Sequence, residues 1–200
     1  LSEVKFPHDV TSNCYYIFSG HGYPSILDNH LVNAINEVNA IGKFNYLVMC
    51  IDADEADVND RKNEVNEFMK ANNLTLQRDV EFVLIIQNRC IETWCLGNQK
   101  VYKNNPNSEI LREYMTFYNV KNNDPELMSK LEQFETHAQF HEDYLSEMLR
   151  ERNIRYTKKN PQGVTEEPYL KELINRANKY GHIKTFREFL TFCSIVLTKL

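Results

Sequence analysis

Three acidic side chains directly follow an apolar run in the first third of the chain. Residues 46–51 are apolar and β-prone, and Asp52, Asp54 and Glu55 come next. Such a run predicts a strand buried on both faces, as in a parallel sheet, and open α/β sheets bind ligands at the carboxyl ends of their strands. Asp52 and Asp54 share one face of an extended strand, so the pair predicts a site for Mg²⁺ or Mn²⁺. The alternative is that Asp54 and Glu55 merely begin a solvated loop.

Another acidic residue follows the next apolar run. Residues 80–86 predict a buried strand, and Glu92 comes shortly after it, between Ile91 and Trp94. These apolar neighbours predict a partly buried carboxylate, which requires a hydrogen-bond partner or a metal. The alternative is a glutamate in the first turn of a helix, where the positive end of the helix dipole stabilises it.

The elements that must position these acids alternate between strand and helix in the first half of the chain. This alternation predicts βαβ units, a parallel sheet and right-handed crossovers. The predicted order is strand 15–18, a glycine turn at 19–22, helix 24–38, strand 45–51, helix 58–71 and strand 80–86.

The second half is nearly all helical in pattern. Helix-start residues such as Asp124 and Thr165, followed by carboxylates, support this assignment. We therefore predict an α/β core over residues 12–100 and a mostly helical extension over 101–200, packed on that core as one structural unit. The predicted helices are 108–118, 125–152, 166–180 and 185–197, with a basic loop at 156–164.

Composition describes an ordinary folded protein. The 200 residues are 42% hydrophobic and 26% charged, with a net charge of −5. No apolar stretch approaches a membrane span and no signal-peptide pattern is present, so we expect a cytoplasmic protein. The five scattered cysteines predict free thiols instead of disulfides. Charge is uneven, since the chain from Arg150 onward has 11 basic residues against 5 acidic ones, which suits contact with a polyanion.

A family resemblance rests on four short motifs. They are Asp-Ala-Asp-Glu at 52–55, Asn-Arg-Cys-Ile-Glu-Thr-Trp at 88–94, Tyr-Thr-Lys-Lys at 156–159 and Thr-Phe-Arg-Glu-Phe at 185–189. In this combination the chain resembles the RloB-like proteins, which have the TOPRIM fold. In that family one strand ends in an aspartate pair, and the next strand leads to an aromatic-rich helix headed Cys-x-Glu-x-Trp.

The resemblance implies a TOPRIM-like, parallel-rich sheet flanked by helices. It also implies Mg²⁺ bound by carboxylates and action on nucleic-acid phosphodiesters, in a bacterial anti-phage defence setting and often beside a partner ATPase. Carried over by position, Asp52 and Asp54 would be metal ligands and Glu55 a nearby acid. Glu92 would be a further carboxylate facing the same site.

The chain departs from the TOPRIM pattern after the first predicted strand. TOPRIM enzymes place a glutamate there, commonly before a glycine, but here Ser19 precedes Gly20. A serine hydroxyl neither binds a hard cation as a carboxylate does nor acts as a base near neutral pH. Three explanations remain open: His21 is the base, Glu55 or Glu92 supplies the missing acid, or catalysis has been lost. His21 could equally be a solvated turn residue.

These observations predict a metal-dependent nuclease that hydrolyses RNA or DNA. Lys158, Lys159 and Arg155 are the candidate phosphate contacts, although a merely solvated basic loop is the alternative. The rival prediction is a catalytically degenerate TOPRIM module that acts as a sensor or scaffold for a partner ATPase or a phage component. A third alternative is a small-molecule phosphotransferase that uses the same carboxylates. The expected partners are a nucleic acid and that ATPase, and the sequence leaves the oligomeric state open, a homo-oligomer included.

Overall fold

The computed structural model describes residues 1–200 and shows an α/β chain with seven α-helices and two small sheets. The chain forms two compact units, the first of residues 1–51, 57–86 and 196–200, and the second of residues 52–56 and 87–195. Both units are therefore discontinuous in sequence. They divide the chain differently from the ranges 12–100 and 101–200, because residues 52–56 and 87–100 cluster with the later helices.

Two long strands form the main sheet. Strands β3 (Tyr46–Asp52) and β4 (Glu81–Gln87) are neighbours in a two-stranded sheet. The Glu81 amide donates to the Asn45 carbonyl at 2.9 Å, and the Ala53 amide donates to the Gln87 carbonyl at 2.9 Å. Between the first bond and the second, the residue numbers rise along both strands, so the two strands run in the same direction and are parallel. Both strands lie within a residue of their predicted positions.

The predicted strand at residues 15–18 is wrong in extent and partner. Only Cys14–Tyr15 forms a strand, β2, and it pairs in parallel with β1 (Ser2–Glu3) in a separate sheet. Ile17 and Phe18 are exposed. A β-prone segment becomes a strand only where a neighbour satisfies its backbone groups, and here that neighbour is two residues long.

Strand β3 is buried on one face only, which corrects the prediction of burial on both. Met49 and Ile51 are buried, whereas Val48 and Cys50 are exposed. Successive side chains of a strand point to opposite faces, so this alternation marks one covered face. The apolar run therefore belongs to a half-covered sheet.

Two helices complete the first unit. A π-helical stretch (Ile26–Leu31) continues into α1 (Val32–Ile41), and α2 (Val58–Ala71) follows β3 along the chain. The α2 helix begins where the Asn59 amide donates to the Asp57 side chain at 2.7 Å, which is standard helix capping. The core of this unit includes Leu27, Leu31, Ile35, Val38, Met49, Ile51, Val65 and Ile85.

The second unit is helical and is built around α5. The Phe140 ring contacts Tyr114 edge-on at a centroid distance of 5.1 Å, and both rings are buried. The α5 side chains Tyr144, Leu145 and Met148 are also buried. The helices are α3 (Ile91–Cys95), α4 (Glu109–Phe117), α5 (His137–Arg150), α6 (Glu167–Tyr180) and α7 (Lys184–Thr198), the last of which ends in the first unit.

The long helix predicted over residues 125–152 is wrong. Pro125–Leu127 forms only a single 3-10 turn, and α5 does not begin until His137. Its true start is a capping box, in which the Gln139 amide donates to Thr136 Oγ1 and the Thr136 amide donates to the Gln139 side chain. The other predicted helices of the second half are confirmed to within two residues. None of the helices combines the length and the apolar character needed to cross a membrane.

Candidate active site

The two parallel strands end side by side in tightly linked turns. Each turn contains one left-handed residue, Asp54 (φ 54°) after β3 and Arg89 (φ 68°) after β4. The Asp54 amide donates to the Arg89 carbonyl at 2.9 Å, and Arg89 Nη1 donates to the Asp54 carbonyl at 3.2 Å. Arg89 Nη1 also donates to the Ala56 carbonyl at 3.2 Å. These bonds fix the backbone that carries Asp52 and lead the chain towards Glu92.

Asp52 is held in a partly buried position at the end of β3. Its Oδ1 atom is buried and has no hydrogen-bond partner. Burial, together with the negative charges of Asp54 and Glu92, raises the pKa of Asp52 to about 7, while the positive charge of Lys158 opposes the rise. Asp54 and Glu92 therefore both lie within electrostatic reach of Asp52.

Glu92 is a fully buried carboxylate in the first turn of α3. Its Oε1 atom accepts a hydrogen bond from the Tyr156 hydroxyl at 2.8 Å. Its Oε2 atom is buried and has no partner. A buried carboxylate oxygen without a donor costs free energy unless a cation or a proton compensates for it. Asp52 and Glu92 each carry one such oxygen, and the charge of Glu92 acts on Asp52.

Lys158 supplies the nearest positive charge to Glu92. Its Nζ atom lies 3.9 Å from Glu92 Oε1 and 3.4 Å from Glu142 Oε2, and its side chain is about half exposed. Burial alone would lower the pKa of Lys158, but the attraction of Glu92 and Glu142 outweighs it and the pKa is raised. A short turn holds the residue, since the Asn160 amide donates to the Thr157 carbonyl at 2.9 Å. Arg155 and Lys159 are exposed on the same segment.

Glu55 is engaged elsewhere in the second unit. The His137 amide donates to Glu55 Oε1 at 2.6 Å, and His137 Nδ1 lies 2.6 Å from Glu55 Oε2. Burial alone would raise the pKa of Glu55, but these contacts outweigh it and the pKa is lowered. Both oxygens of Glu55 thus contact the first turn of α5, where the positive end of the helix dipole favours an acidic group.

Ser19 and His21 belong to the first unit, whereas the carboxylates belong to the second. The His21 amide donates to Ser19 Oγ at 3.3 Å, and His21 adopts a left-handed conformation with φ 56°. Its exposed ring lies 5.3 Å, centroid to centroid, from His30. These are the properties of a solvent-exposed turn, and the assignment of a base to this position stays a prediction.

The residues present fit a magnesium or manganese ion, although no three or more His, Cys, Asp or Glu side chains form a metal-binding cluster. Mg²⁺ commonly takes only one or two carboxylates and completes its octahedron with water and substrate phosphate oxygens. The unpartnered oxygens of Asp52 and Glu92 are hard donors of the required kind. The pair could therefore hold such an ion, with Asp54 close by.

Sequence reasoning missed two contributors to this site, Tyr156 and Glu142. Tyr156 is buried and orients Glu92, while Glu142 on α5 attracts Lys158. The spacing of Tyr156 and Lys158 offered a signal, because residues two apart in an extended segment share a face. Glu142 had no local signal, since its relation to Glu92 arises only from the packing of helices far apart in sequence.

No family model, no curated protein and no solved structure matches the chain. What bears on its function is therefore the arrangement of its own side chains.

Proposed function

We propose that this chain is a metal-dependent nuclease of TOPRIM type, which hydrolyses phosphodiester bonds of RNA or DNA in bacterial anti-phage defence. The observation that carries the proposal is the pair of buried, unpartnered carboxylate oxygens on Asp52 and Glu92. The resemblance of the flanking motifs to RloB-like proteins supports the choice of reaction and setting, and it adds a partner ATPase. The position of the pair beyond parallel strands agrees with ligand sites in α/β proteins.

Each residue of the proposed site has a distinct role. Asp52 and Glu92 would hold the ion, and the Tyr156 hydroxyl fixes Glu92 through its bond to Oε1. When bound there, a divalent cation would supply charge stabilisation for the scissile phosphate and would lower the pKa of a bound water. Lys158, Lys159 and Arg155 on the neighbouring turn would attract and orient the phosphodiester backbone. We leave Glu55 out of the ion-binding set because both its oxygens contact His137.

Hydrolysis of end-labelled single-stranded RNA, single-stranded DNA and duplex DNA in Mg²⁺ or Mn²⁺ tests the proposal. Asp52→Asn and Glu92→Gln should lower the rate on the order of 10²-fold or more, because stabilisation by a bound cation contributes several kcal/mol to the transition state. Glu132→Gln is the matched control, since it removes an exposed charge of the same unit and should leave the rate unchanged. Equal rates in all four proteins would reject the proposed nuclease.

A second candidate is a non-catalytic module that senses or scaffolds a partner ATPase or phage component. Two observations favour it: Ser19 stands where the TOPRIM pattern expects glutamate, and no set of three ligands is assembled. Isothermal titration with Mn²⁺ separates the candidates. Absence of binding at millimolar Mn²⁺ supports the module, whereas binding that Asp52→Asn abolishes supports the nuclease.

A further inference from the structure

Lys158 is placed where a cation would have to enter the acidic site. We propose that its ammonium group is the resident counter-ion of Asp52 and Glu92, and that a divalent ion displaces it towards Glu142 and the phosphate of the substrate. This inference rests on the proposed metal site. It assigns Lys158 a regulatory role in addition to phosphate contact, because the Lys158 ammonium group would leave Asp52 and Glu92 and become available to a phosphate only when the ion is bound.

The contacts of Lys158 are those of a loosely held counter-ion. Its Nζ atom is 3.9 Å from Glu92 Oε1, beyond ordinary hydrogen-bond distance, so it neutralises the carboxylate without a direct bond. The Tyr156 hydroxyl already occupies the direct donor position on that oxygen at 2.8 Å. An ammonium group on a flexible four-carbon stem can leave such a position without rearrangement of the backbone.

Glu142 provides the place to which Lys158 can withdraw. Glu142 Oε2 lies 3.4 Å from Nζ, and the Glu142 side chain is 36% exposed, whereas Glu92 is completely buried. The ammonium group thus lies between an inner acid and an outer acid. If the Lys158 side chain moved towards Glu142, Glu92 would be free to bind the ion. The ammonium group would stay paired with Glu142 at the surface, within reach of a phosphate.

The charge balance of the site explains why the exchange would occur. Asp54 and Glu92 both repel the charge of Asp52, and the opposing charge is that of Lys158, whose Nζ atom lies 3.9 Å from Glu92 Oε1. One positive charge cannot neutralise three negative charges, while a divalent ion removes more of the repulsion. Binding of the ion and release of Lys158 are therefore one coupled event, which places ion binding before phosphate binding.

Isothermal titration of Mn²⁺ into the wild-type protein, Lys158→Met and Lys171→Met tests the displacement. Methionine keeps the length of the stem and removes the charge, and Lys171 is an exposed lysine of the same unit that pairs with Glu167. We expect Lys158→Met to bind Mn²⁺ about tenfold more tightly than wild type, because no competing cation must leave, and Lys171→Met to bind as wild type does. If wild type binds Mn²⁺ and Lys158→Met binds no more tightly, the displacement is wrong and the metal site stands. If no variant binds Mn²⁺, the proposed metal-dependent function is itself wrong, and the displacement falls with it.

A double-mutant cycle in the absence of metal tests the counter-ion role separately. We expect Lys158→Met to lower the thermal midpoint of the wild-type protein at pH 8, and to lower it less in a Glu92→Gln background, where the ammonium group still pairs with Glu142 but the uncharged amide at position 92 needs no counter-ion. The same shift in both backgrounds would show that Lys158 does not act through Glu92, and would overturn the inference whatever the titration gives.

Discussion

Glu92 and Glu126 are both buried glutamates of the second unit, yet their surroundings differ. Glu126 Oε1 and Oε2 accept from the Thr185 amide at 3.0 and 3.3 Å, and Oε1 also accepts from the Thr185 hydroxyl. The indole of Trp94 in turn donates to Thr185 Oγ1 at 2.7 Å. Glu92 has the Tyr156 hydroxyl on one oxygen and no partner on the other.

The difference distinguishes an acid that stabilises the fold from one that the fold merely tolerates. Burial raises the pKa of Glu126 and the donors of Thr185 oppose that rise, so both carboxylate oxygens of Glu126 have partners within the protein. An incompletely paired buried carboxylate destabilises the protein, and sequences retain such groups chiefly where they serve a function. We therefore expect opposite responses when the two kinds of acid are removed.

The largest expected effect is the loss of stability in Glu126→Ala. Removing the carboxylate leaves the amide and hydroxyl of Thr185 without their acceptor, which should lower the free energy of unfolding by about 3 kcal/mol. Urea unfolding followed by Trp94 fluorescence measures this loss of stability, because the indole donates a hydrogen bond to the Thr185 hydroxyl. Mn²⁺ binding should be unchanged. An Ala variant of full stability that no longer binds Mn²⁺ would reverse the assigned roles.

A smaller effect of opposite sign is expected for Asp52→Asn. The pKa of Asp52 is raised from 3.8 to about 7, so the folded protein holds an extra proton in that range and loses stability as the pH rises through it. The variant should therefore be more stable than wild type at pH 8, by about 2 kcal/mol after allowance for solvent screening, and nearly equal at pH 4. Urea unfolding at both pH values measures this. A difference independent of pH would contradict the buried, charged state of Asp52.

The smallest expected effect concerns Glu55, which pairs with His137 in the manner of a structural acid. Because the pKa of Glu55 is lowered, its stabilising contribution is present at neutral pH and is lost as the pH falls below its ordinary value of 4.5. Glu55→Gln should cost about 0.5 kcal/mol at pH 7 and nothing at pH 3, as for other exposed ion pairs. Thermal unfolding measures it. Loss of Mn²⁺ binding in this variant would place Glu55 in the site after all.

Local sequence signals predicted the elements whose position is determined by the residues within them. The apolar runs predicted β3 and β4, and the terminal aspartate of β3 predicted where the acids would lie. The helix at 125–152 failed because Asp124 and Pro125 resemble a helix start, while the capping box at Thr136 and Gln139 was overlooked. The burial of β3 on one face depends on what covers the sheet, which no run of residues within the strand determines.

The candidate site was partly predictable for the same reason. Asp52 and Glu92 each follow an apolar run, and the parallel pairing of β3 and β4 brings the two exits together. The partners of Glu92 could not be deduced, because Tyr156 and Lys158 come from a turn more than sixty residues later. Their contact depends on the packing of the helices between, which is a property of the whole second unit.

The left-handed residues at the strand exits have a consequence for how a ligand would be received. Asp54 and Arg89 both occupy a conformation that side-chain-bearing residues seldom adopt, and each is bonded to the other. Cross-linked in this way, the two loops cannot swing independently, so the spacing of the acids they carry is set when the protein folds. In the proposed metal site, an ion would therefore meet ligands whose spacing is already fixed, and its binding would require little ordering of the chain.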